Sequence, residues 1–174
     1  MLKNKLNSYS FLWGVSFIST LIIAYFFGHN DIIVCQLINI EFTDTYTQLK
    51  NLVAKEKYGN LINNTYFDFL FITAYTLLFF FSLKVFNYTL NLRLKPKIYL
   101  VAIIPGIFDI IENIIFFKLI TPNNNVNQDL FYNIYYLSVR FKWFLVLFFA
   151  LIVITILLYY LIFLLNKLLD YFFK

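Results

Sequence analysis

Asp109, Glu112 and Asn113 stand at i, i+3 and i+4 inside the run 98–120, which puts them on one helix face above Ala102 and Gly106. Two carboxyls one turn apart suit general acid–base chemistry. Their repulsion is expected to leave a proton on one while the other stays ionised, so that one donates where its neighbour accepts. The rest of the run is almost wholly apolar, and an ionisable group in the middle of such a segment costs about 2.5 to 3.5 kcal/mol to place in a bilayer. Counted inward from residue 120 at helical rise, Glu112 lies roughly 12 Å deep and Asp109 roughly 16 Å deep, too far to snorkel to water. They need partners from other helices.

Candidates follow from spacing. Asp68, Tyr75 and Ser82 recur at heptad intervals in one run, and Tyr135, Ser138 and Lys142 share a stripe in another, with Arg140 beside them. The expected site is an outward-opening polar pocket: Asp109 and Glu112 as the catalytic pair, with Asp68, Tyr75, Asn113, Ser138, Arg140 and Lys142 as the ligand-binding or polar network. One carboxylate, paired to Lys142, would serve as base. Two other uses fit the same residues. One is a small proton-coupled transporter or channel subunit, which would need to oligomerise to form a path; the other is a structural clamp whose polar groups only hold helices together. Taken singly, Asp68 also suits an interface residue or a helix N-cap, and Lys142-Trp143 suits a membrane-boundary anchor. Lys84 and Lys118 are expected to snorkel to opposite interfaces. Pro105-Gly106, one turn before Asp109, predicts a helix kink.

No His/Cys grouping with metal spacing, Gly-rich phosphate loop or Ser-His-Asp set occurs, so metal and cofactor chemistry have no sequence support. His29 stands alone in a connection, and the single Cys35 cannot form an intrachain disulfide.

The elements that must hold these residues are membrane helices. The chain has 174 residues, of which 61% are hydrophobic and only 13% charged, against about 25% charge in a soluble domain. Four runs, 9–27, 67–86, 98–120 and 143–165, approach or exceed the roughly 20 apolar residues that a hydrocarbon core of about 30 Å demands. Each must be helical, because lipid offers nothing to an unpaired backbone group. The fold class is therefore all-α: one integral membrane domain, a four-transmembrane-helix bundle, with the last helical pattern starting near Asp129. The first run follows Lys3 and Lys5 but lacks a small-residue cleavage pattern, which favours a retained anchor over a signal peptide. Arg93, Lys95 and Lys97 crowd one short connection without an acid, and Lys167 and Lys174 follow the last run. The positive-inside rule then puts both termini in the cytoplasm and the connections 28–66 and 121–138 outside. Within 28–66, a Thr or Asp cap, Tyr46, Leu49, Leu52 and Val53 on one side, and Gly59 as a stop predict an amphipathic surface helix. It would be a lid over the bundle mouth or a solvated spacer. The net charge of +5 is dispersed between apolar segments, which gives no nucleic-acid surface. Expected partners are membrane lipids and a small or lipid-like ligand.

The segment Asp68-Phe-Leu-Phe-Ile-Thr-Ala-Tyr75 resembles the D-x-x-F-x-x-x-Y motif of a widespread group of small bacterial four-span membrane proteins. Pro105-Gly-Ile-Phe-Asp109-Ile-Ile-Glu112-Asn113 is similar to its P-x-x-x-D-x-x-E-N motif, and Leu137-Ser-Val-Arg-Phe-Lys142-Trp143 to its K-W segment. The resemblance covers about two thirds of the chain. It implies that Asp68, Tyr75, Asp109, Glu112, Asn113 and Lys142 are shared polar positions, and it implies no activity. Ile72 departs from the group in standing where a proline is common.

Overall fold

The computed structural model describes residues 2–28, 39–55, 58–121 and 127–172, and these are helical with short connections and no strand. In chain order the helices are α1 (Leu2–Gly28), α2 (Tyr46–Val53), α3 (Tyr58–Leu90), a 3-10 segment (Pro96–Ile103), α4 (Ile104–Ile120) and α5 (Gln128–Phe172). Among the described residues four stretches are long and apolar enough to cross a membrane: Leu6–Phe26, Leu61–Leu90, Pro96–Ile120 and Gln128–Tyr171. Three of the expected runs fall inside one of them each, and the first, 9–27, passes the end of Leu6–Phe26 by one residue. His29 and Cys35 lie outside the described residues.

The helices overrun the apolar windows at the end that carries the acids. α3 starts at Tyr58, so 58–66 is helix rather than connection, and Gly59 sits in its first turn instead of stopping the helix before it. The reason is tertiary: Leu61 and Thr65, one turn apart, are both buried against neighbouring elements, which outweighs the weak helix propensity of Gly59 and Asn63. α2 ends earlier than expected, at Val53, where the Ala54 N–H donates to Lys50 O at 2.9 Å. Its start is capped at Thr45, whose hydroxyl accepts the Gln48 N–H, while Gln48 Oε1 accepts the Asp44 N–H. α5 begins as expected, with Asn127 Oδ1 accepting the Leu130 N–H. Its 45 residues extend about 67 Å at helical rise, roughly twice a hydrocarbon core.

At Pro105, where the sequence predicts a kink, the helix type changes. The chain runs as 3-10 turns from Pro96 to Ile103, and Pro105 falls in the first turn of α4, where the N–H it lacks has no intrahelical partner to lose. Next to it, Gly106 lets α4 press against α3: a Cβ there would stand 2.6 Å from Thr76 Oγ1 and 3.3 Å from Ile72 Cγ2.

Two apolar cores result. The first joins α1, α3, the 3-10 segment and α5 through Trp13, Leu78, Phe79, Tyr99 and Phe149, with the Phe79 and Phe149 rings stacked at 4.8 Å. The second joins α2, α3, α4 and α5 through Leu49, Leu61, Phe116, Leu119, Tyr132 and Tyr135. The polar residues of α4 lie between them. Leu49 is buried, so α2 is docked on the bundle rather than free as a spacer. Facing outward, α1 and α5 expose large apolar side chains such as Phe11, Tyr25, Phe144 and Leu151.

Candidate functional site

The i, i+3, i+4 face of α4 turns into the bundle. Asp109 and Glu112 are 4% and 3% exposed, and Asn113 is buried with them. Opposite stands Lys142 of α5, 5% exposed, whose ammonium lies 3.2 Å from Asp109 Oδ1 and 2.7 Å from Glu112 Oε2. The shorter approach is an ion pair outside hydrogen-bonding geometry, whereas Lys142 Nζ donates a hydrogen bond to Asp109. α3 completes the face: Tyr75 OH donates to Asp109 Oδ2 at 2.7 Å, and Asn113 Nδ2 donates to Asp68 Oδ2 at 2.6 Å. Asp109 thus receives two donors, one from each neighbouring helix. Asp68 lies about three turns into α3 and is held by a side chain of α4, so it is no N-cap of that helix.

A third carboxylate comes from the segment between α1 and α2, where sequence spacing gave no sign of it. Glu41 Oε1 is 3.2 Å from Lys142 Nζ, and Glu41 Oε2 accepts the Trp143 indole N–H at 2.7 Å. Two further contacts fasten the same segment to α5. Tyr132 OH donates to Thr43 O at 2.8 Å, and Arg140 pairs with Asp44 at 3.2 Å while its guanidinium lies over the Phe42 and Tyr136 rings. The strip 40–44 therefore covers the cluster, and α2 anchors it through Leu49. The one available hint was Trp143, whose half-buried indole N–H needed an acceptor.

Not every expected residue joins the cluster. Arg140 belongs to the exposed Asp44 pair, whose side chains are 37% and 73% exposed. Helical phase explains the separation, since two residues turn the side chain about 200° away from Lys142. Ser138 is buried one turn before Lys142, but no hydrogen bond among the described residues joins it to the carboxylates. Ser82 shares the stripe of Asp68 and Tyr75 yet serves the core around Trp13, accepting its indole N–H at 2.9 Å.

Glu41, Asp109 and Glu112 thus surround a single ammonium, with Asp68 one hydrogen bond away on Asn113. Uncompensated like charges about 4 Å apart repel by about 4 kcal/mol at an effective dielectric of 20. A set with three carboxyls to one lysine is therefore built to hold protons or to accept a further cationic group. No grouping of three or more metal-ligating side chains suited to a metal ion occurs among the described residues. No family model, curated protein or solved structure matches this chain.

Proposed function

We propose that the chain is a multi-pass membrane protein whose lid-covered polar cluster binds the polar group of a small or lipid-like ligand, with acid–base capacity in the Asp109 and Glu112 pair. Four long apolar helices with exposed Phe, Leu and Ile surfaces support insertion. Tyr9 of α1 and Tyr160 of α5 lie at the same end as Lys84 and the Arg93, Lys95 and Lys97 connection. That common basic end supports cytoplasmic termini and an outward-facing cluster in a cell membrane. The convergence of Asp68, Tyr75, Asp109, Glu112, Asn113 and Lys142 supports kinship with the bacterial four-span group.

The observation that carries this reading is the excess of three carboxyls over one buried lysine beneath a strip tethered by side-chain contacts. A clamp that only joined helices would be served by one acid for one base; surplus buried charge weakens it. Asp109, supplied by Tyr75 and Lys142, suits the role of fixed carboxylate. Glu112 is the partner suited to give and take a proton. A transmembrane relay within one chain is disfavoured, because 69–83, 98–108 and 143–166 contain no charged residue to continue it.

The test is mass spectrometry of the lipids and small molecules that copurify with the protein, together with their fate on incubation with a lipid extract. Wild type should retain or alter a species that Glu112→Gln does not. Identical extracts from both, with a loss of thermal stability alone, would leave the structural clamp as the function.

A further inference from the structure

The opposite end of the bundle holds a second organised cation. Lys84 Nζ lies 3.7 Å from the Tyr99 ring centroid, 5.5 Å from that of Phe80 and 5.6 Å from that of Tyr9. Ring faces attract the charge without using up the ammonium N–H donors. No ion pair to Lys84 occurs among the described residues, and the sequence contains no Asp or Glu from 69 to 108. A lysine that merely snorkelled would need no such cage.

Asn87, one turn on, builds the surroundings. Its Nδ2 donates to Tyr99 OH at 2.8 Å, which sets the ring beneath Lys84, and its Oδ1 accepts the Leu94 N–H at 2.8 Å. Its backbone carbonyl accepts the Leu92 N–H at 3.1 Å. These bonds fold the strap 91–97 back beside Lys84, with Asn91 and Arg93 in the left-handed region at φ 52° and 53°, a conformation uncommon outside glycine. Arg93, Lys95 and Lys97 are exposed on this strap, and exposed Leu90, Leu92, Ile98 and Leu100 lie among them. Basic groups interleaved with apolar ones at the end of long apolar helices fit a molecule with a negative head above hydrocarbon chains.

We propose that caged Lys84 and the strap 91–97 bind the phosphate of an anionic lipid headgroup. The site is separate from the outer cluster and shares with it only insertion in a membrane.

Full-length protein in nanodiscs of phosphatidylcholine alone, or of phosphatidylcholine with phosphatidylglycerol, gives the measurement: the rise in Tm that the anionic lipid produces. Lys84→Gln should remove at least half of that rise, Lys84→Arg should keep most of it, and Lys50→Gln at the other end should leave it intact. An equal rise in wild type and Lys84→Gln overturns the proposal, as does an equal loss in Lys50→Gln, which would mean diffuse surface charge. Inorganic phosphate added to phosphatidylcholine nanodiscs should give no comparable rise; if it does, the ligand is free phosphate and the lipid assignment fails. Should Lys84→Gln not fold, the exposed triple variant Arg93→Gln, Lys95→Gln, Lys97→Gln decides: a reduced rise supports the proposal and an unchanged one overturns it. Loss of the outer site by Glu112→Gln should not affect any of these shifts.

Discussion

Lys142 and Lys84 are both ammonium groups on long apolar helices, and the fold accommodates them in opposite ways. Lys142 is sealed inside and meets three carboxylates. Lys84 is half-buried at an end of the bundle and meets three aromatic rings. The difference follows depth. A sealed charge must be compensated by other charges, because desolvation otherwise exceeds any packing gain; near water, ring faces suffice and the N–H donors stay available. The first solution holds an ammonium by opposite charges, and the second holds one by ring faces alone.

The sharpest way to break this contrast is to remove each lysine. Lys142→Met leaves buried carboxylates without their cation and should cost about 3 to 5 kcal/mol, read as a drop in the unfolding midpoint in detergent. Adding Glu112→Gln to that variant should recover part of the loss. Strict additivity of the two substitutions would show that the groups do not act as one cluster. Tyr75→Phe strips Asp109 of one donor while leaving the ring in place, and should cost about 1 to 3 kcal/mol in the same assay. Lys84→Met, which removes only a cation over rings, should cost about 1 kcal/mol in a zwitterionic environment. A loss as large as that of Lys142→Met would mean that the two sites differ in position only. Arg140→Ala touches an exposed pair and should change the midpoint by less than about 1 kcal/mol. A larger effect would make the strip 40–44, rather than the cluster under it, the main stabilising element.

Much of the cluster was legible from spacing. A period of 3.6 put Asp109, Glu112 and Asn113 on one face, the expense of burying them demanded partners, and Tyr75 and Lys142 stood on the stripes able to supply them. The same period also separates Arg140 from Lys142, a distinction that their nearness in sequence conceals. Glu41 was hidden for a different cause: it lies 101 residues before Lys142 in a connection, where no periodicity relates a side chain to its eventual neighbours. The cage around Lys84 was hidden likewise, because Tyr9, Phe80 and Tyr99 come from three separate elements.

Composition and apolar run length by themselves determined that this chain makes four helices long and apolar enough to cross a membrane, since runs of about 20 apolar residues are too long for barrel strands and a helix satisfies its backbone hydrogen bonds within itself. Helical phase determined which face of the third run had to turn inward. Only tertiary structure decided how far the helices overrun those apolar windows, that Pro105 stands at a change of helix type, and that a strip between α1 and α2 brings a third acid to Lys142. Those outcomes depend on side-chain packing between segments far apart in the chain, and local sequence carries no measure of it.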